Sequence, residues 1–467
     1  MSRFHPLAVA LAALLCVPPT VLTAAPAMAR DQNRNYPHYQ LVDVGSFGGG
    51  FGLFSNPAAK VMNDLGYAVG MLSTSTPDPY TPNCFFDCQV DHAFLRQFGK
   101  TIDLGALAPG LSSFAYGIND RGEVVGESQN GGIDLATGFW IARGFEWRNG
   151  KMTELDTLGG TQSLAAAINN RGLIAGTSLS SDPDPFTGMA VQNCRWTPNL
   201  SSACSGADFG INALFVPTST TARAVLWNRG VARDLGTLGG PDSTAISINF
   251  RGQVIGWSYT SFTPNASGVP DVHPFVWENG KMTDLGSLGG SVAVPSFINQ
   301  YGMITGASNT EGDAALHAFV WSRNKGMQDI GTLGGTYAHP DWINDRGDVV
   351  GYSTTPKDQS GHNLGRAFYW HDGVMKNLGT ISTDEASEAF SINNRCQIVG
   401  VTFVRGGDDL NGFYSDCGGP LVALDTLVSP ASNIHISEAW VINDRGVIAG
   451  MGVTRDGEQH PILLVPW

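Results

Sequence analysis

Two histidines in this chain stand outside any repeated phrase and close to each other along it: His339 in "YAHPDW" and His362 in "QSGHN", with Asp341 beside the first. An imidazole next to a carboxylate can move a proton or ligate a metal ion, so His339, Asp341 and His362 are the candidates for catalysis. Together with His435, they are expected in variable loops. His92, His273, His317 and His460 instead recur at one place in a repeat and are expected to build structure.

Two insertions, "STPDPYTPNC" at 75–84 and "SSDPDPFTGMAVQNC" at 180–194, each place Asp-Pro-aromatic-Thr before a cysteine. Tyr80, Phe86, Phe139, Trp140, Phe186 and Trp196 could offer apolar faces to sugar rings. Asp78, Asp182 and Asp184 could accept sugar hydroxyls or help hold Ca²⁺. The competing expectation is that the aromatics pack the insertions into small cores pinned by Cys84–Cys88 and Cys194–Cys204. No cofactor is required by these residues; Ca²⁺ is the ion they suggest. No Gly-x-Ser-x-Gly elbow, phosphate loop, paired zinc motif or dinucleotide fingerprint is present.

What must position these residues is a repeat. The phrase "INDRGEVVG" at 118–126 returns as "INDRGDVVG" at 343–351 and "INDRGVIAG" at 442–450, and related forms start at 62, 168, 248, 298 and 392. Their asparagines lie 45 to 80 residues apart, mostly near 50. In most of them Ile ends one strand, Asn-x-x-Gly turns the chain, and the apolar pair begins the next strand; Met62 replaces the Ile once and Cys396 the Gly once. A third phrase such as "HAFVW" at 317–321 and a fourth such as "MTDLGSLGG" from 282 complete each unit. Four short antiparallel strands per unit, apolar on both faces, predict an all-β chain folded as a single β-propeller of eight blades. Seven blades with a degenerate unit is the alternative, and an open β-solenoid a more distant one. The lone fourth strand "LVDVG" at 41–45 is expected to close the last blade, whose third strand is "HPILLVPW" at 460–467.

"HAFVW…MQDIGTLGG…WINDRGDVVGYS" resembles the HAF repeat family of exported bacterial proteins, over residues 39–467. The resemblance implies a secreted repeat protein; it brings no catalytic residues.

The first 29 residues read as an export signal, with Arg3, an apolar run "LAVALAALLCV" and Ala27-Met28-Ala29 as the cleavage site. Residues 30–467 then form the single mature domain, secreted or periplasmic, monomeric and without a membrane span. Its six cysteines, Cys84, Cys88, Cys194, Cys204, Cys396 and Cys417, read as disulfides, with Cys396–Cys417 a local pair within one unit. A net charge of −14 argues against a nucleic-acid partner. The resulting expectation is a binding or scaffolding module for a polysaccharide or a cell-envelope protein, not an enzyme, acting through the variable loops between second and third strands. A polysaccharide lyase or glycoside hydrolase and a passive matrix component are the alternatives.

Overall fold

The structure, a computed structural model, describes residues 36–467 except 56–59, 82, 86–87, 187–218, 267, 358–360, 362, 382–383 and 405–408. The chain is all-β, and its strands pair antiparallel in four-stranded sets in chain order. The second set shows the pattern: Ser113–Ile118, Val124–Ile133, Trp140–Arg148 and Lys151–Glu154. The last set, Ile434–Ile442, Ile448–Thr454 and Gln459–Pro466, is completed by Tyr39–Asp43 from the other end of the chain. One expected strand is curtailed. In unit seven only Val422–Ala423 pairs, and Leu424–Leu427 coils into a 3-10 turn whose Asp425 accepts the backbone N–H of Ile436 at 2.9 Å.

The recurring asparagine explains why the turn phrase is repeated. Asn119 accepts the N–H groups of Arg121 and Glu123 through its side-chain oxygen, at 3.0 and 3.1 Å, which fixes the turn. Its amide then donates to the backbone carbonyl of Asn169 in the next unit. The same donation runs from Asn63 to Asn119, from Asn169 to Asn249, Asn299, Asn344, Asn393 and Asn443, and from Asn443 back to Asn63. Eight asparagines therefore form one closed ring of hydrogen bonds. From unit two to unit eight, the first strands of neighbouring units contact one another.

The third-strand phrase supplies the core between sheets. Phe94, Phe145, Phe275, Phe319, Phe368 and Phe413 are all fully buried there, each contributing about 2–3 kcal/mol by removal from water. The histidine two residues earlier bonds the fourth strand: His92 to Asp103, His273 to Asp284, His317 to Asp329, and His460 to Asp43, all at 2.9–3.0 Å.

The glycine that ends each phrase permits close approach of the second strand to the first. A Cβ on Gly351, Gly400 or Gly450 would overlap the carbonyl oxygen of His339, Glu388 or Glu438 respectively. In each of these units the strand pairing skips a residue just beyond the glycine, and that irregularity sets the direction of the first-strand side chains.

Candidate functional site

Of the described aromatics, Trp140 is buried, and Tyr80, Phe139 and Phe186 are half-buried. Trp140 is 5% exposed, touches Tyr80, Phe85 and Phe139, and donates its indole N–H to the Asn83 carbonyl at 2.6 Å. It ties the unit-one insertion to the edge of unit two, and its ring is not an open platform. Phe186 lies edge-on to Tyr259 of unit four, with ring centres 5.9 Å apart. Phe86 and Trp196 lie outside the described residues.

The insertion carboxylates that are buried hold their own loops. Asp78 accepts the N–H groups of Tyr80 and Phe85 at 2.8 and 3.1 Å. Asp184 accepts that of Phe186 at 2.8 Å. The Asp-Pro-aromatic echo is thus a repeated side-chain-to-backbone turn. Asp182 is exposed on the last residues of the second strand of unit three. Cys84 and Cys88 lie at disulfide distance, as do Cys396 and Cys417, each pair with Cα atoms 4.9 Å apart. Cys396 takes the positive φ of 67° that glycine holds in the other turns. Cys194 and Cys204 lie outside the described residues.

The histidines require a correction. His339 and His435 do not lie in loops but on the first strands Ala338–Ile343 and Ile434–Ile442. The connection before each first strand is shorter than the sequence suggests, because pairing with the second strand extends back to these residues. His435 is occupied between Asp425 at 2.6 Å and the Leu410 carbonyl at 2.8 Å. His362, outside the described residues, cannot be placed against His339.

His339 has a different partner, from the next unit. Its Nε2 lies 2.9 Å from Glu388 Oε1 and 3.7 Å from Asp341 Oδ2, while its Nδ1 lies 3.1 Å from the Tyr337 hydroxyl. Its ring stacks on Tyr352, with centres 5.4 Å apart. One ligand atom from each of His339, Asp341 and Glu388 falls within 4.8 Å of the others. Beyond Glu388, in unit eight, Glu438 accepts the indole N–H of Trp440 at 2.9 Å. Both Glu388 and Glu438 keep part of their surface open. Glu438 nevertheless lies deep among protein atoms, and that burial, reinforced by the neighbouring Glu388 carboxylate, pushes it up to about 7 against the opposing bond from Trp440.

The register of these residues is informative. Each of His339, Glu388 and Glu438 stands four places before the isoleucine of its unit's turn phrase. In units two to five the same place holds Phe114, Leu164, Thr244 and Val294. Side chains there and two residues later share one face, as the Phe114–Tyr116, His339–Asp341 and Glu438–Trp440 contacts show. Three adjacent units therefore carry ionisable groups where the rest carry apolar or hydroxyl side chains. Glu388 and Glu438 escape a motif search; aligning the first strands on that isoleucine would have found them. Glu127, a buried acid on the second strand of unit two, accepts the Tyr116 hydroxyl at 2.6 Å.

No known family profile and no curated protein matches the chain. Solved structures do. The β-propeller domain of the Trilobed protease from Pyrococcus furiosus is 10% identical, with a TM-score of 0.43, over 80% of this chain and 98% of that one. A chain from a study of two prolyl endopeptidases is 8% identical, with a TM-score of 0.47, over 91% of this chain and 54% of that one, so this chain spans about half its length. An ulvan lyase of polysaccharide lyase family PL25 is 12% identical, with a TM-score of 0.34, over 75% of this chain and 91% of that one. At such identities none of them carries a residue role to this chain.

Proposed function

We propose that the chain is a closed propeller of eight blades, exported as the HAF repeat resemblance implies, and that it is a binding module for a hydroxyl-rich polymer such as a cell-envelope or extracellular polysaccharide. The binding site is the inner ring of units six to eight, and the aromatic insertions serve to brace the scaffold. One observation carries this reading: a strand position filled by Phe114, Leu164, Thr244 and Val294 elsewhere is filled by His339, Glu388 and Glu438 in three consecutive units. A repeat that only needed to pack would keep that position apolar, since ionisable groups there pay for desolvation. Carboxylates accept sugar hydroxyls, and the half-buried ring of Tyr352, stacked on His339, stands beside them. A net charge of −14 favours a neutral polymer over a polyanion.

A second reading, turnover of the polymer by proton transfer, is favoured by one feature. His339 stands between a phenol and a carboxylate, with a further carboxyl near pH 7 at Glu438. Incubating the purified protein with a panel of neutral and acidic polysaccharides, and recording both retention and chain length, tests the two together. Retention of unshortened polymer supports binding; shortened polymer replaces it with catalysis; absence of both removes the glycan reading.

A further inference from the structure

We infer that His339, Asp341 and Glu388 form a binding site for a divalent cation of borderline character, such as Mn²⁺ or Zn²⁺. The inference goes beyond the glycan reading and holds whether or not a polymer binds. The three donor atoms come from two adjacent first strands and lie within 4.8 Å of one another. Metal–ligand bonds of about 2.1 Å place such atoms roughly 3–4 Å apart, so a small contraction suffices.

The surroundings favour a metal ligand in two ways. The Tyr337 hydroxyl lies 3.1 Å from Nδ1, so when a metal ion takes the place of the proton between Nε2 and the carboxylates, the phenol oxygen can hold the remaining proton on Nδ1. An outer partner on the second ring nitrogen is the usual means of fixing a ligating imidazole. Stacking on Tyr352 fixes the ring plane. The charges also point to a cation: Asp341 and Glu388 bring two carboxyl groups to one imidazole, and a divalent ion relieves their repulsion. One nitrogen with two carboxylates suits Mn²⁺ or Zn²⁺ better than Ca²⁺, which prefers an all-oxygen shell. Among the described residues, Asp78 and Asp184 join no such cluster, and each accepts backbone N–H groups of its own loop.

The test is titration of the EDTA-treated, dialysed protein with Mn²⁺, Zn²⁺ and Ca²⁺ by calorimetry, with Mn²⁺ binding followed also by electron paramagnetic resonance. One equivalent of Mn²⁺ or Zn²⁺ is expected to bind, with Ca²⁺ weaker. Glu388→Gln and Asp341→Asn, which preserve volume, abolish that binding while leaving the far-ultraviolet circular dichroism spectrum unchanged. Tyr337→Phe keeps the ring and weakens affinity about ten-fold. Failure of the wild-type protein to bind Mn²⁺ or Zn²⁺, or equal binding by both carboxylate variants, overturns the site. Polymer retention measured in EDTA separates the two proposals: retention without metal binding removes only the cation site, and metal binding without retention removes only the glycan reading.

Discussion

Asn443 donates its side-chain amide to the backbone carbonyl oxygen of Asn63, 3.1 Å away and 380 positions earlier in the chain. This bond links the last asparagine of the series to the first. Asn443 also accepts the N–H groups of Arg445 and Val447, each at 3.0 Å. Asn443→Ala therefore removes three hydrogen bonds, a loss of about 3 kcal/mol in unfolding free energy at about 1 kcal/mol each. Asn249→Ala, in the middle of the chain, is expected to be somewhat more destabilising, because Asn249 makes the equivalent three bonds and a fourth to Gln253 Oε1. Urea denaturation of both variants checks this; a near-neutral Asn443→Ala beside a destabilised Asn249→Ala would mean that the ring does not close in solution.

The second closure is titratable. His460 meets Asp43 at 3.0 Å where the N-terminal strand joins the last sheet. The Asp43 hydrogen bond raises the His460 pKa above its ordinary 6.5, with burial opposing. A pKa raised by folding gives its full stabilisation below 6.5 and loses it as pH rises through the raised value. The stability advantage of wild type over His460→Gln is thus greatest near pH ~6 and shrinks on the alkaline side of that point. Asp43 sets the acid limit: burial pushes its carboxyl up, but the bonds from His460 and the Gly45 N–H outweigh burial and hold it below the usual range. Urea midpoints of the two proteins at several pH values give the comparison, and an advantage that grows with pH would contradict it.

Glu127 lowers wild-type stability in the same direction, with rising pH, but over a more acidic window. Burial pushes its carboxyl from 4.5 to about 7, and the Tyr116 bond pulls it only partly back. Between those values the unfolded chain has released its proton and the folded chain has kept it, so stability falls as pH rises across that window and levels off above it. Relative to Glu127→Gln, wild type should lose on the order of 2–3 kcal/mol between pH ~4.5 and ~7.5. Parallel pH profiles for the two proteins would show instead that Glu127 is ionised when folded.

Trp140 separates bracing from binding. Its ring lies between Tyr80, Phe85 and Phe139, so Trp140→Ala leaves a cavity worth about 3–5 kcal/mol to the local structure. Proteolytic cleavage near residues 78–88 should accelerate, while polymer retention stays at the wild-type level. A variant that resists protease as well as wild type yet loses retention would restore the aromatic platform.

The scaffold was legible because it repeats. Asn119 and its counterparts are held by the same local bonds in every unit, and Phe94, Phe145, Phe275, Phe319, Phe368 and Phe413 fill equivalent places, so spacing alone exposed strand order and turns. The site was less legible for the converse reason. His339 and Asp341 drew attention as unusual residues, but Glu388 lies 49 positions from His339 and becomes its neighbour only when adjacent first strands stand side by side. The aromatics are not sorted by residue type, because an aromatic near a connection looks the same whether it faces solvent or, like Trp140 at the start of a third strand, is 5% exposed. Only the neighbouring unit decides which.

The most direct measurement compares polymer retention by wild type, Glu388→Gln and Trp140→Ala on the same polysaccharide panel, after circular dichroism has shown all three to be folded. The inner-ring account predicts that wild type and Trp140→Ala are retained alike and that Glu388→Gln is not. Retention of Glu388→Gln at the wild-type level, with loss in Trp140→Ala, would contradict it and move the binding surface to the insertions.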